Sequence, residues 1–113
     1  FREMSAIRSI DLERLPAIRE ELSAFARRLK QELPVQRVIV FGSFATGDVH
    51  ELSDIDLIVV GDFPQRYFDR LGLILDRTEL PVEPWVYTPE EFQRKIDQGI
   101  PFIVSALEYG VEL

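Results

Sequence analysis

Val38-Ile-Val-Phe-Gly-Ser-Phe-Ala-Thr-Gly-Asp-Val-His-Glu-Leu-Ser-Asp-Ile-Asp-Leu-Ile-Val-Val60 decides the fold of this chain. The run Arg37–Phe41 has the length and composition of a buried strand and ends at Gly42. Residues 42–53 are turn-rich, and a second strand, Asp54–Val60, ends at Gly61. A glycine after a buried strand lets the backbone bend sharply or a ligand come close. Ser43 then offers a hydroxyl and an amide at a loop-to-helix junction, a common place for phosphate oxygens. Gly42 and Gly47 have the spacing of a phosphate-cradling loop, but Asp48 stands where that loop needs lysine and would repel phosphate. A dinucleotide fingerprint fails as well, because residue 44 is Phe.

Asp54 and Asp56 are two apart on a strand, so they point to one face with Cα atoms roughly 6.6 Å apart. Ile55, Leu57 and Val59 point the other way, into a core, leaving the acid-bearing face open. Two carboxylates about 4–5 Å apart repel by roughly 3–4 kcal/mol at an effective dielectric near 20. A hard divalent cation removes that cost, and oxygen-only ligands suit magnesium or manganese. Adjacent carboxylates can also bracket two metals about 3.5–4 Å apart, the geometry of in-line displacement at phosphorus. Alone, such a pair is more often a solvated strand end or a helix cap than a metal site; its weight comes from the Gly-Ser that precedes it by ten residues.

To the N-terminal side, Ile18, Leu22, Phe25, Leu29 and Leu33 fall at helical spacing within Leu12–Leu33. Pro16 suits the first turn, so the regular helix begins near Leu15, and Pro34 stops it. To the C-terminal side, Gln65–Thr78 is helical by the same criterion. Pro81–Tyr87 is a third strand, placed at an edge or a bulge by Pro84, which cannot donate to a ladder. Thr88-Pro89-Glu90-Glu91 opens a helix that runs to about Gln98. A last helix, Pro101–Tyr109, stops at Gly110. The order α-β-loop-β-α-β-α-α describes one small α/β domain over residues 1–113, with a sheet of at least three strands.

Composition narrows the function. With 46% hydrophobic residues among 113, the chain can bury a core and disorder is excluded as its general state. It has no cysteine and one histidine, His50, which excludes disulfides, thiolate zinc sites and paired-imidazole sites. No apolar stretch approaches the roughly 18 residues of a membrane span, and residues 1–15 lack a signal-peptide centre, so a cytoplasmic location is expected. A net charge of −7 argues against nucleic acid as a partner. The Arg and Lys residues of 26–31 and 92–96 could supply a local basic patch but are more often the solvated faces of helices.

Gly-Ser, ten residues, then Asp-x-Asp resembles the signature of the nucleotidyltransferase superfamily that includes DNA polymerase beta. The resemblance is greatest to its MNT-type minimal branch, through Gly42-Ser-Phe-Ala-Thr-Gly47 and Ser53-Asp-Ile-Asp-Leu57. It extends from the first helix to Gly110-Val-Glu-Leu113. Thr46 departs from it, standing where arginine is usual, which affects a phosphate or acceptor contact but not the metal site. The resemblance implies a minimal nucleotidyltransferase fold, α+β with a mixed sheet. It implies that Gly42 and Ser43 hold the outer phosphates of a nucleotide triphosphate, ATP for choice. It further implies that Asp54, Asp56 and a third carboxylate bind two Mg2+ ions, with Mn2+ as the alternative. By position the third is Glu83, a glutamate where aspartate is more usual; Asp76 and Glu79 are weaker substitutes.

The metal at Glu83 would activate an acceptor hydroxyl. Trp85 and Tyr87 share a face with Glu83 and could stack on a base or belong to the core, whereas Phe44 and Val49 are expected to pack and His50 to be exposed in the loop. MNT-type proteins are often antitoxins paired with HEPN-type toxins, some transferring AMP to the toxin, so a HEPN-type partner protein is implied as acceptor. The alternatives are an antitoxin that masks its partner by contact, and a sensor that binds nucleotide without transfer. A homodimer is a further expectation.

Overall fold

The computed structural model describes residues 15–47, 49 and 54–113. In chain order the elements are α1 (Leu15–Glu32), β1 (Val35–Phe41), α2 (Ser43–Thr46), β2 (Ile55–Gly61), α3 (Tyr67–Leu75), β3 (Val82–Tyr87), α4 (Pro89–Asp97), α5 (Pro101–Tyr109) and β4 (Val111–Glu112). Residues 1–14, Asp48, His50 and Ser53 lie outside the described residues, and with them the helix start at Leu12, part of the motif loop and the exposure expected of His50.

One sheet carries the strands in the order β3-β2-β1-β4. β1 runs antiparallel to both β2 and β4, and β2 runs parallel to β3 through the α3 crossover, so the sheet is mixed. β3 is an edge strand, as Pro84 required. The fourth strand, β4, was not legible in the sequence. It is two residues long, too short for any alternation to show, and is held by register with Ile39 and Val40 and by a two-point Arg37–Glu112 ion pair at 2.8 and 2.9 Å.

One face of the sheet, through Val38, Val40, Ile55, Leu57, Val59 and Val86, packs against α1 and Ile74 of α3. The opposite face corrects the sequence reading. Asp56 lies on it, but it is not open: Ile58 and Val60, on the same side of β2, are fully buried beneath Phe92 of α4 and Ile103 and Ala106 of α5. The two C-terminal helices fold back over the lower part of that face. Their start and stop residues identified them as helices but carried no information about which face they would cover. At the other end of the sheet Asp54 and Glu83 are exposed and Asp56 is half-buried. No helix among the described residues is long and apolar enough to cross a membrane.

Candidate active site

β1 ends at Phe41 and the chain turns through Gly42, whose φ of 71° is reached readily only by glycine. Ala45 and Thr46 both donate to the Gly42 carbonyl, and Gly47 donates to that of Ser43, closing the single turn of α2. Phe44 and Val49 pack into the core, as expected. Arg19 of α1 donates to the Phe44 carbonyl at 3.4 Å and lies over its ring, so α2 is fastened to α1. The Thr46 hydroxyl donates back to the Gly42 carbonyl at 3.3 Å. That side chain is spent inside its own turn and does not extend as an arginine would.

Asp56 is the centre of the site. Register places it opposite Phe41 on one side and Glu83 on the other. Its carboxyl is within hydrogen-bonding reach of that of Glu83. Partial burial first, then the bond and charge of Glu83, then the charge of Asp54, push the Asp56 carboxyl up to about 6 from its ordinary 3.8. Asp54, exposed, immediately precedes β2 rather than beginning it. Gly42 closes the third side: a Cβ there would lie 2.5 Å from Asp56 Oδ2. The residues singled out in the sequence thus come together, with Gly42 against Asp56, Asp54 within its electrostatic reach, Glu83 in contact, and Ser43 opening α2 beside them. Register places Glu83 beside Asp56, whereas Asp76 and Glu79 lie in the connection between α3 and β3.

Among the described residues no set of three acids closes to metal-ligating geometry. Asp56 and Glu83 stand side by side on neighbouring strands. The donor set nevertheless suits a hard divalent cation: all oxygen, anionic, part-buried, and costly to keep ionised without a positive charge. Trp85 and Tyr87 share the face of Glu83, and both join the core beneath it. Tyr87 is buried, with its ring 6.3 Å from Phe92. Trp85 is half-buried, its ring 4.9 Å from that of Phe102.

A supporting feature went unread in the sequence. Arg70 of α3 is buried (7% exposed) and donates to the Gln65 and Val86 carbonyls at 2.8 and 3.3 Å and to both oxygens of Glu91. Glu91 also completes the capping box of α4 by accepting from Thr88 N at 2.9 Å. Arginine stands at helical spacing with Tyr67 and Ile74, the one signal that this cation faces inward. Arg70→Met leaves Glu91 half-buried without its cation and two carbonyls without a donor; unfolding by urea is expected to show a loss of about 2–4 kcal/mol. A change within about 0.5 kcal/mol would mean that the tie between α3 and α4 is dispensable.

The profile of the nucleotidyltransferase domain family matches residues 22–111. A Methanocaldococcus jannaschii protein named "Putative protein adenylyltransferase" is 33% identical over 95 residues, spanning 83% of this chain and 91% of that one. "Probable protein adenylyltransferase MntA" of Haemophilus influenzae is 30% identical over 99 residues, spanning 82% of this chain and 86% of that one. Among solved structures, a Sulfolobus solfataricus protein described as a putative nucleotidyltransferase superposes with a TM-score of 0.60. It covers 74% of this chain and 78% of its own at 24% identity, a likeness of fold.

Proposed function

From the premise that this chain belongs to the nucleotidyltransferase domain family, we propose that it transfers AMP from ATP to a hydroxyl of a partner protein, as the antitoxin of a HEPN-type pair. The observation that carries this reading is the meeting of Asp56, Glu83, Asp54 and Gly42 at one end of the sheet. The names of the two curated relatives support a protein as acceptor.

Proteins of this family generally use divalent metal ions. Asp54, Asp56 and Glu83 are the residues that would hold them, Mg2+ by the hardness of the donors, with two ions as the expected number. When bound, such ions lower the pKa of the attacking hydroxyl and neutralise charge on the departing pyrophosphate. The chain's own groups supply the rest. Gly42, lacking a side chain, lets the nucleotide come down onto Asp56, while Ser43 offers its hydroxyl and amide to the phosphates. Glu83, on the edge strand, faces the side from which an acceptor can approach, and its carboxylate is placed to take the hydroxyl proton. The bond from acceptor oxygen to the α-phosphorus forms as the bond to pyrophosphate breaks.

The inward turn of Thr46 favours a second reading, in which the chain masks its partner by contact alone. Pyrophosphate release separates the two. With ATP, Mg2+ and an extract of the source cell, the wild-type chain is expected to release pyrophosphate and the Asp54→Asn, Asp56→Asn double variant to release none, while both retain the partner in a pull-down. Equal release from both, or none from either, would remove catalysis from the proposal. Nucleotide binding without release would instead identify a sensor.

A further inference from the structure

A cavity of about 330 Å3 opens on the outer side of β3, between that strand and α3. Tyr67, Leu71 and Leu75 form one wall, one helical turn apart, and Val82, Pro84 and Trp85 form the other. Among the described residues Glu83 is its only charged lining residue, and register places it beside Asp56. The cavity therefore runs up to the site from the side opposite Gly42 and α2. The sheet order makes that direction unambiguous: the phosphate end lies at β1, the shared carboxyls at β2 and β3, and the cavity beyond them.

The surroundings of the cavity have a definite chemistry. Phe68, 82% exposed, sets its ring edge-on to that of the lining Tyr67 at 5.8 Å, and Leu75 is 43% exposed. Solvent-facing phenylalanine and leucine beside an apolar cavity mark a contact surface. The connection between the two walls carries Asp76 and Glu79, both exposed. Its one cation, Arg77, is spent on Glu32 at 2.9 Å and on the Leu73 carbonyl. The end of the cavity nearest Glu83 is thus acidic and its length apolar.

We propose that this α3–β3 groove docks the acceptor: a segment of the partner protein that places an aliphatic or aromatic side chain in the cavity and a lysine or arginine against Asp76, Glu79 and Glu83, presenting its hydroxyl at the carboxyls. The inference rests on the transfer reading for the purpose of the docking, but the groove can be tested without catalysis. Apolar anchoring supplies affinity, and the acidic end sets orientation and rejects acidic segments.

Trp85 is the only tryptophan in the chain, so its emission reports on this groove. The probes are synthetic octapeptides with a central serine, flanked in one set by lysine and leucine and in the other by aspartate and glycine. Saturable change in Trp85 emission is expected with the first set only, unaffected by ATP with Mg2+ present. Leu75→Glu is expected to weaken that binding about tenfold or more, and Leu75→Met to retain it. Matching thermal unfolding of the two variants separates loss of the groove from loss of the fold. No saturable change with either set, equal binding of the acidic set, or displacement by ATP overturns the proposal; the last would assign the cavity to the nucleotide. Transfer is read separately, with ATP labelled in its α-phosphate. Bound peptide that acquires no label leaves the groove standing and counts against adenylyl transfer.

Discussion

Asp56→Asn is expected to lower transfer by about 10³-fold or more and, at the same time, to make the metal-free protein more stable at neutral pH. The two effects have one origin. Asp56 sits between Glu83, Asp54 and Gly42, part-buried, where its ionised form is unfavourable without a cation. Its folded value of about 6 lies above its ordinary 3.8, so the folded state holds a proton that the unfolded chain gives up first. The associated stability is fully present below pH about 4 and is lost as pH rises through about 6. Solvent still reaches the carboxyl, and screening reduces the effect to about 1 kcal/mol.

Asparagine carries no charge to repel Glu83, so the variant keeps that stability at pH 7 and loses the pH dependence between 4 and 6. Divalent cation should reverse the order, raising the melting temperature of the wild-type protein at pH 7.5 and leaving that of the variant nearly unchanged. Melting curves across pH, with and without Mg2+, check all of this. A variant that melts lower than wild type at pH 7 without metal would show that Asp56 is held by favourable contacts rather than strained by its neighbours.

Gly42→Ala is the second substitution with a large consequence. Any side chain at residue 42 points at Asp56 Oδ2, and φ of 71° with ψ of −147° is a backbone state that L residues rarely adopt. Backbone strain contributes about 1–3 kcal/mol, and the collision displaces the carboxyl that everything else in the site addresses. A loss of about 2–3 kcal/mol in stability is expected, with at least about 10²-fold in transfer, since misplacement by an ångström is that costly. A double-mutant cycle with Asp56→Ala isolates the collision. Removing the carboxyl should return part of the lost stability, because the strain at φ persists while the clash does not. Additive losses would mean that the two positions do not meet.

The legibility of this chain was uneven for identifiable reasons. The strands β1, β2 and β3 were readable because buried β-branched runs end sharply at Gly42 and Gly61 and because Pro84 confines its strand to an edge. The capping Thr88 with Pro89 behind it and the stop at Gly110 fixed α4 and α5 nearly to the residue. The face those helices cover was not readable, since Ile58 and Val60 look the same in sequence whether they meet water or α5. That Glu83 joins Asp54 and Asp56 was reached only through resemblance. A one-residue change in the β2–β3 register would have turned Glu83 to the other face, and register belongs to the packed sheet, not to the segment. Arg70 was missed because the reading of α3 followed its apolar residues, whereas the tie to α4 depends on a cation at an inward position.

The decisive measurement compares ATP labelled in the α-phosphate with ATP labelled in the γ-phosphate, each incubated with this chain, Mg2+ and an extract of the source cell. The expected result is one labelled protein band from the α-labelled nucleotide, none from the γ-labelled one, and none when Asp54 and Asp56 are both replaced by Asn. A band from γ-labelled ATP, or a band that persists in the double variant, would contradict nucleotidyl transfer at these carboxyls.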